Sequence, residues 1–421
     1  MKKTKIYKRL TPVILLGIIV CLGLFSCEEY PNAYKHTDGV PEVSYVRMTN
    51  PATADSLIDG AFLNTTICIV GNNLRSVHQL YFNDQPAILN TSFMTDHTLI
   101  VTVPDNIPSD VTDKIYLVAF SGDTVNYDFK VLVPAPAVNS MSCEYALEGT
   151  EAVIYGNYFL DDPNIPLAIE FPGNLPVTDI ISIDTTEIHF IVPEGAIKGY
   201  INVTSLYGTS RSKFQYKDDR GMILDWDELN ANGGWRPGIL SDVNGISGNY
   251  VVFKGDLGDD PNGWPDEDHL SFNLWGTANG RPEGDFFDAS TTNLPNLLLK
   301  FEVNVLAPWS NDALQIVFTS WDTTGTNGYY ADDTYPRGLW MPWATAGDGG
   351  TPGSYQTNGW ITVTIPLSTF KYSPTGASLT APNGPGYWGG LSMMLYKGGV
   401  TGSACSPEMW IDNIRVVPVD K

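Results

Sequence analysis

The sequence predicts an all-β chain made of three successive β-sandwiches. Three observations support this. Only 17% of the residues are charged, while glycine and proline are abundant at 40 and 29 residues, as in short strands joined by turns. Apolar and polar residues alternate in runs such as Thr98–Val103, which favours half-buried strands. One pattern of strands occurs twice, and then the composition changes abruptly near Gly221.

The first segment, residues 1–26, is predicted to be a signal peptide. It begins with five basic residues, and the apolar run from Leu10 to Phe25 is shorter than the ~20 residues that a membrane-spanning helix needs. The run ends at Leu24-Phe25-Ser26-Cys27, which resembles the lipobox of bacterial lipoproteins. That resemblance implies lipidation of Cys27, whereas the alternative is an ordinary signal peptide with a chance cysteine.

The residues after the cysteine are predicted to hold the protein at the cell exterior. Glu28-Glu29 resembles the acidic export tag of Bacteroidetes-type surface lipoproteins, although glutamate is also common in any solvated tether. Residues 27–41 lack periodicity and contain Pro, Asn, Asp and Gly. We therefore interpret them as the lipidated cysteine followed by a flexible tether.

A tandem repeat follows the tether. TTICIVGNNL (65–74) corresponds to TEAVIYGNYF (150–159), and TDHTLIVTVPDNI (95–107) corresponds to DTTEIHFIVPEGA (184–196). The matching segments keep the same order at a spacing of about 85–90 residues, which indicates a duplicated domain. We assign the two copies to residues 42–134 and 135–218.

These repeats resemble the IPT/TIG class of immunoglobulin-like domains. The marks are G-N-N-L after a strand and the later T-x-hydrophobic-x-hydrophobic-x-V-P motif. The resemblance implies an immunoglobulin-like β-sandwich that acts as a spacer or adhesion module without catalytic residues. We expect Gly71 and Gly156 to supply a turn after their strand, where a positive φ costs glycine little.

Residues 219–421 are predicted to form a separate, larger domain whose task depends on tryptophan. All eleven tryptophans of the chain lie between Trp226 and Trp410. Two segments, HLSFNLWGT (269–277) and ALQIVFTSW (313–321), read as strands with one apolar face. Their opposite faces carry polar side chains and a terminal Trp, namely Asn273, Trp275, Gln315, Thr319 and Trp321.

This mixture of residues suits a carbohydrate. The apolar C–H face of a pyranose stacks on an aromatic ring, and its hydroxyls need the fixed donors and acceptors of amide side chains. A water-exposed Trp cluster usually marks a binding site. The alternative is that loops or another layer also cover the second faces of these strands.

Further aromatic residues lie in turn-rich loops that lack a strand pattern. Trp264, Tyr330 and Trp343 are the candidates for additional glycan platforms, so that the predicted site comprises the set Trp264, Asn273, Trp275, Gln315, Trp321, Tyr330 and Trp343. For Trp360 and Trp410, which lie in segments that read as terminal strands, we expect structural packing in the core or at an edge.

Charge and motifs exclude several function classes. Five of the 24 basic residues lie in the first 26 positions, so the remainder has 19 basic and 47 acidic residues, a net charge of −28. Such a surface repels nucleic acid and anionic lipid. The sequence has no catalytic motif of the GxSxG or HExxH type, its five histidines are scattered, and we expect no metal and no cofactor. The alternative is a Ca²⁺ site in the acidic loop, which we interpret as solvated, with oxygen ligands from Asp256, Asp259, Asp260, Asp266 or Asp268.

The mature chain resembles the surface glycan-binding proteins of Bacteroidetes polysaccharide-utilisation systems, specifically their second binding-protein type. The motifs are the Cys-Glu-Glu start, the tandem repeats, GISGNYVVFKG, GLWMPW and GWITVTIPLSTF. The resemblance implies a C-terminal sandwich like a carbohydrate-binding module, similar to a xyloglucan-binding domain. It also implies a non-catalytic lipoprotein on the outer membrane, facing the exterior.

The same resemblance implies the ligand and the partners. We expect capture of a plant β-linked polysaccharide, either mixed-linkage β-glucan, xyloglucan or a related hemicellulose, and its delivery to the importer and glycosidases of the system. A β-mannan or glucomannan ligand is an alternative within the class. From other classes, a surface adhesin for a host protein and a glycoside hydrolase remain open, although a hydrolase needs two facing carboxylates.

The anchor gives the first testable prediction. Cys27→Ala should move the protein from the membrane fraction to the soluble fraction, because the variant has no site for lipid chains, which contribute roughly 0.8 kcal/mol per buried CH₂ group. Fractionation and immunoblotting measure this. Continued sedimentation of the variant would contradict the anchor, and resistance of the wild type to protease added to intact cells would contradict surface exposure.

Overall fold

The fold is all-β, as predicted. The computed structural model describes residues 34–53, 55–231, 237–258, 270–275, 281, 283–323 and 333–420. In these ranges the regular elements are strands and short 3₁₀ turns, and no helix there is long and apolar enough to cross a bilayer. The chain divides into two compact units, Met1–Val133 and Pro134–Lys421, which are described separately below.

The first unit is a small sandwich of nine strands. They are β1 Glu42–Met48, β2 Gly60–Phe62, β3 Thr66–Asn72, β4 Val77–Phe82, β5 Gln85–Pro86, β6 Thr98–Thr102, β7 Lys114–Ala119, β8 Thr124–Asp128 and β9 Lys130–Leu132. Strands β1-β3-β6 form one sheet and β5-β4-β7-β8 form the other, while β2 and β9 pair in parallel. Alternate residues such as Ile67, Ile69, Leu99 and Val101 are buried between them.

The second unit begins with a sandwich of the same design. Its strands are β10 Ala137–Met141, β11 Glu151–Asn157, β12 Ala168–Phe171, β13 Leu175–Pro176, β14 Ile180–Ile183, β15 Glu187–Ile191, β16 Gly199–Ser205 and β17 Gly208–Tyr216. The sheets are β10-β11-β15-β14 and β13-β12-β16-β17. The corresponding order of strands in the two sandwiches confirms the tandem repeat.

The structure corrects the expected role of the two repeat glycines. Gly71 and Gly156 lie inside β3 and β11 and do not have a positive φ. A Cβ atom would come within 1.8 Å of the carbonyl oxygen of Glu42 at Gly71, and within 1.8 Å of that of Ala137 at Gly156. Glycine is therefore required at both positions because the neighbouring strand approaches so closely.

In the described residues, the C-terminal sandwich has ten strands. They are β18 Met222–Leu224, β19 Ile239–Ser241, β20 Tyr250–Lys254, β21 Ser271–Leu274, β22 Leu297–Val305, β23 Leu314–Thr319, β24 Arg337–Trp340, β25 Ile361–Pro366, β26 Gly390–Leu395 and β27 Glu408–Pro418. A six-stranded sheet has the order β19-β20-β27-β22-β25, with β18 also paired to β27. A four-stranded sheet has the order β21-β26-β23-β24.

Short 3₁₀ turns connect some of these strands. In the described residues they are Pro51–Thr53, Leu74–Ser76, Thr91–Phe93, Leu294–Asn296, Pro342–Thr345, Asp348–Gly350 and Leu367–Thr369. The inner faces of the two C-terminal sheets enclose one apolar core, whose members include Phe253, Phe272, Phe301, Phe318 and Ile411. Only the outer faces and the loops remain for contacts with other molecules.

Within the second unit, a buried cluster of charges joins the immunoglobulin-like sandwich to the six-stranded sheet. Arg415 on β27 binds both carboxylate oxygens of Glu302 on β22, at 2.7 and 3.0 Å, and binds Glu144 at 2.9 Å. Lys300 also donates to Glu144. Glu144 belongs to the immunoglobulin-like sandwich, and all four residues are at most 4% exposed. We call these four residues the junction cluster.

Backbone and hydroxyl groups complete the junction. Thr362 accepts a hydrogen bond from the Glu144 amide at 2.7 Å and donates to Glu302 at 2.9 Å. The guanidinium of Arg415 lies 5.0 Å from the ring centre of Tyr145. With two acids and two bases, the junction cluster balances its charges, as a buried ion network must. The two sandwiches are thus interdependent, and a fragment cut near residue 219 would lose Glu144.

Cys68, Cys143 and Cys405, the three cysteines of the domains, are unpaired. Cys68 and Cys143 are buried, whereas Cys405 is half-buried. Burial raises the pKa of the Cys143 thiol, so that this thiol stays protonated and unreactive at neutral pH. The Cys405 sulfur accepts a hydrogen bond from the Ser310 amide at 3.4 Å.

The junction cluster gives a stability prediction. Glu144→Ala should lower the free energy of unfolding of residues 134–421 by about 3–5 kcal/mol, because it leaves Lys300 buried without its acid partner. Lys198→Ala is the control, since it breaks an ion pair with Asp219 whose side chains are 63% and 58% exposed, and should cost less than about 1 kcal/mol. Equal losses in denaturant titrations would contradict this account.

Asp412 gives a prediction on pH. Burial raises its pKa to about 8, despite hydrogen bonds from the Ser247 hydroxyl and the Asn413 amide. The folded state therefore keeps a proton that the unfolded state loses near pH 4, and stability should fall as pH rises from about 4 to 8. Asp412→Asn should reduce this loss by on the order of 2 kcal/mol. Unfolding titrations at both ends of the range test it, and an identical pH dependence in the variant would refute it.

Candidate functional site

The candidate site lies on the outer face of the four-stranded sheet. Strand alternation here is as the sequence predicts. Leu270, Phe272 and Leu274, like Leu314, Ile316 and Phe318, point into the core. The opposite side chains of these strands therefore belong to the outer face.

Two half-buried tryptophans lie beside the glycine pair Gly389-Gly390 at the start of β26. β26 lies between β21 and β23, and Gly390 pairs with Thr319 on one side. On the other side the Leu274–Leu391 pair places Trp275 next to Gly390. Gly390 has no side chain, and it lies buried between Trp275 and the 2% exposed Thr319; a Cβ at this position would come within 2.3 Å of the Thr319 hydroxyl oxygen.

Trp321 borders the same glycine pair. A Cβ at Gly389 would lie 2.6 Å from the Cβ of Trp321, and the Gly389 amide donates to the carbonyl of Thr319 at 2.9 Å. Trp275 and Trp321 are both half-buried, so part of each ring is accessible to a ligand. We call Trp275, Gly389, Gly390 and Trp321 the Trp-Gly groove.

A tyrosine that the sequence analysis missed precedes the groove. Tyr387 is 38% exposed, and its ring lies 6.2 Å from that of Tyr335. Asp285 fixes this loop by accepting hydrogen bonds from the amides of Gly386 and Trp388, at 2.7 and 2.9 Å. The signal in the sequence was the segment GYWGG, in which the neighbouring Trp388 is buried in the core.

The two predicted amide contacts are less accessible than expected. Asn273 is 4% exposed, and its side-chain oxygen accepts a hydrogen bond from Ser392 at 2.6 Å. Gln315 is fully buried and donates to the carbonyls of Pro374 and Tyr396, at 2.9 and 2.6 Å. At Gln315 the outer face is therefore covered by the chain around Pro374, and this side chain cannot reach a ligand without a rearrangement.

Arg337 completes the covered part of this face. Its guanidinium donates to the side-chain oxygen of Gln315 at 2.8 Å, and the residue is fully buried. Its backbone also pairs with Tyr372. These contacts hold the chain around Pro374 against the sheet, so that Gln315 serves the fold of the domain.

The structure also corrects the prediction for Trp343. The residue is fully buried in the core, and its indole N–H donates to the carbonyl of Asp312 at 2.7 Å. Pro342 starts a 3₁₀ turn that directs the following ring inward. Burial raises the pKa of the neighbouring Asp312 to about 7, which reflects the same dry environment. Trp343 cannot serve as a sugar platform.

Two predicted platforms, Trp264 and Tyr330, lie outside the described residues, so their roles stay predictions. In the part of the chain that the structure describes, no group of three or more His, Cys, Asp or Glu side chains is arranged to hold a metal ion. The arrangement that the groove offers is aromatic and neutral, and it suits stacking against an apolar surface.

The chain is similar to several known proteins. A sequence model of the surface glycan-binding protein B xyloglucan-binding domain matches residues 216–418. The crystal structure of surface glycan-binding protein PbSGBP-B from Prevotella bryantii is 37% identical, covering 90% of this chain and 99% of that chain with a TM-score of 0.79.

Two further relatives are more distant. SGBP-B from a complex xyloglucan utilization locus in Bacteroides uniformis is 16% identical, covering 90% of this chain and 100% of that chain with a TM-score of 0.45. An IPT/TIG domain-containing protein of Bacteroides ovatus is 30% identical over 196 residues, which are 44% of this chain and 39% of that relative. From the full-length match to the Prevotella protein, the chain belongs to the surface glycan-binding protein B family.

Proposed function

We propose that the chain captures a neutral plant β-glycan at the cell surface, without cleaving it, through the Trp-Gly groove. The carrying observation is that strand pairing places Trp275 beside Gly390, that Trp321 borders Gly389, and that both tryptophans are half-buried. Tryptophan rings that stay partly accessible can stack on the C–H faces of sugars.

The ligand class follows from the family. The matching domain model is described as xyloglucan-binding, and the Bacteroides uniformis relative comes from a xyloglucan locus. We therefore propose xyloglucan or a mixed-linkage β-glucan as the ligand, with β-mannan or glucomannan as the alternative. The same stacking chemistry serves all of them, since β-linked glucose and mannose present similar apolar faces.

The proposed location and partners extend this role. A lipid on Cys27 would hold the protein on the outer membrane, with the immunoglobulin-like sandwiches as spacers that carry the glycan domain outward. Captured polysaccharide would then pass to the importer and glycosidases of the same system. A non-catalytic role is supported by the family and by the use of Asp285, near the groove, as a partner of two backbone amides.

Affinity should rest on stacking and should be nearly independent of salt. Covering part of one Trp ring contributes on the order of 1–2 kcal/mol, so Trp275→Ala or Trp321→Ala should weaken binding about tenfold. Tyr155→Ala is the control, because it removes a 41% exposed ring from the immunoglobulin-like sandwich. Raising the salt concentration to ~1 M should change affinity little, since no ionic contact is screened.

Titration calorimetry with xyloglucan, mixed-linkage glucan and glucomannan oligosaccharides measures these effects and names the ligand. Wild-type affinity in both Trp variants, with unchanged melting temperatures, would place the site elsewhere. Absence of binding to every β-glycan by the wild-type mature chain would overturn the proposed function itself.

A further inference from the structure

The outer face of the six-stranded sheet is only half covered. The junction cluster and the immunoglobulin-like sandwich occupy the half around Glu302 and Arg415. On the other half, cross-strand pairing places four residues in one row: Ile239 pairs with Val252, Val252 with Trp410, and Trp410 with Asn304. Ile239 is 49% exposed, and the other three are half-buried.

Trp360 extends this row just before β25, and it also packs against the core cluster of the immunoglobulin-like sandwich and Ile246. Its ring centre lies 6.1 Å from that of Trp410, and both rings pack against Tyr250, at 5.6 and 5.0 Å. The Trp410 indole N–H donates to Glu408 at 3.2 Å, and that of Trp360 donates to the carbonyl of Asn244 at 3.4 Å. We call Ile239, Val252, Trp410, Asn304 and Trp360 the aromatic row.

These contacts fix the orientation of both indoles before any ligand arrives. Because the row crosses adjacent strands, the distance from Ile239 to Asn304 is three strand spacings, or about 14 Å, enough for several linked sugar rings. The oxygen of the Asn304 side chain accepts a hydrogen bond from Thr357 at 3.0 Å. Its amide N–H group has no hydrogen-bond partner among the described residues and remains as a donor for a hydroxyl.

We propose that the aromatic row is a second glycan-binding surface for the same class of neutral β-linked polysaccharide. This inference rests on the proposed function, and it adds a site on the sheet opposite the Trp-Gly groove. The chemistry matches that of a sugar ligand, because half-buried indoles with fixed orientation alternate with a neutral amide along a straight row. A buried protein interface would not need the free amide donor.

Two surfaces on opposite sheets would change how the protein holds a polymer. One polysaccharide that reaches both faces gains from the high effective concentration of the second site. Two separate polysaccharides can also be bridged by one molecule. Either arrangement strengthens the binding of long polysaccharides more than the binding of short oligosaccharides.

The test compares variants of the whole mature chain by calorimetry with a β-glucan hexasaccharide and by affinity electrophoresis in xyloglucan or mixed-linkage glucan. The wild type should bind two oligosaccharides per chain. Trp410→Ala should bind one, with the affinity of the remaining site unchanged, and its retention by the polymer should fall about tenfold. Trp275→Ala/Trp321→Ala should keep weak binding that disappears when Trp410→Ala is added.

Controls separate binding from folding. Asn304→Ala removes the free amide without touching the rings and should weaken the second site, whereas Thr364→Ala, an exposed change on the same sheet, should have no effect. If Trp410→Ala lowers the melting temperature, the test of the second site relies instead on Asn304→Ala and on the double variant Trp275→Ala/Trp321→Ala. One oligosaccharide per wild-type chain, or no residual binding in the double groove variant, would overturn the second site while leaving the proposed function intact. Absence of binding by the wild type would overturn both.

Discussion

The buried ion network between Glu144, Lys300, Glu302 and Arg415 is the constraint on which the second unit depends. Charges at most 4% exposed are tolerated only when each one is paired, because desolvation of a single ion costs several kcal/mol. Glu144 comes from one sandwich and its partners from the other, so neither sandwich can satisfy its own charges alone. The spacer domain next to the glycan domain is thereby part of the folding unit that presents the ligand surfaces.

This constraint also decides which surfaces can bind. The inner faces of both C-terminal sheets are buried in the core, and the junction covers half of one outer face. On the other sheet, Gln315 and Arg337 hold the chain around Pro374 over one region and leave the end with Trp275 and Trp321 half-buried. The two proposed sugar surfaces are parts of the outer faces that remain, and each carries two half-buried tryptophans.

Much of the fold could be predicted from the sequence, because strand alternation has a strict period of two. This alternation predicted that Phe272 and Phe318 lie in the core, and that Trp275 and Trp321 lie on the opposite faces of their strands. The repeat was visible because two copies keep the same order of motifs. The predictions that failed concern contacts between residues that are far apart in the sequence. Gly71 is needed for a close approach to Glu42, Gln315 is covered by a loop 59 residues away, and Trp343 lies in a segment without periodicity.

Tryptophan concentration in one domain is therefore an ambiguous signal, and burial resolves it. Trp226, Trp309, Trp343 and Trp388 are at most 3% exposed, and three of them donate their N–H to a backbone carbonyl, as a buried indole requires. Trp275, Trp321, Trp340, Trp360 and Trp410 are instead half-buried, and of these Trp340 packs against the core. A large ring that stays partly in water contributes less to stability than a fully buried ring, and the difference is proportional to the apolar area that stays exposed. An aromatic face that stays partly accessible beside neutral hydrogen-bonding groups matches the apolar and polar surfaces of a sugar ring.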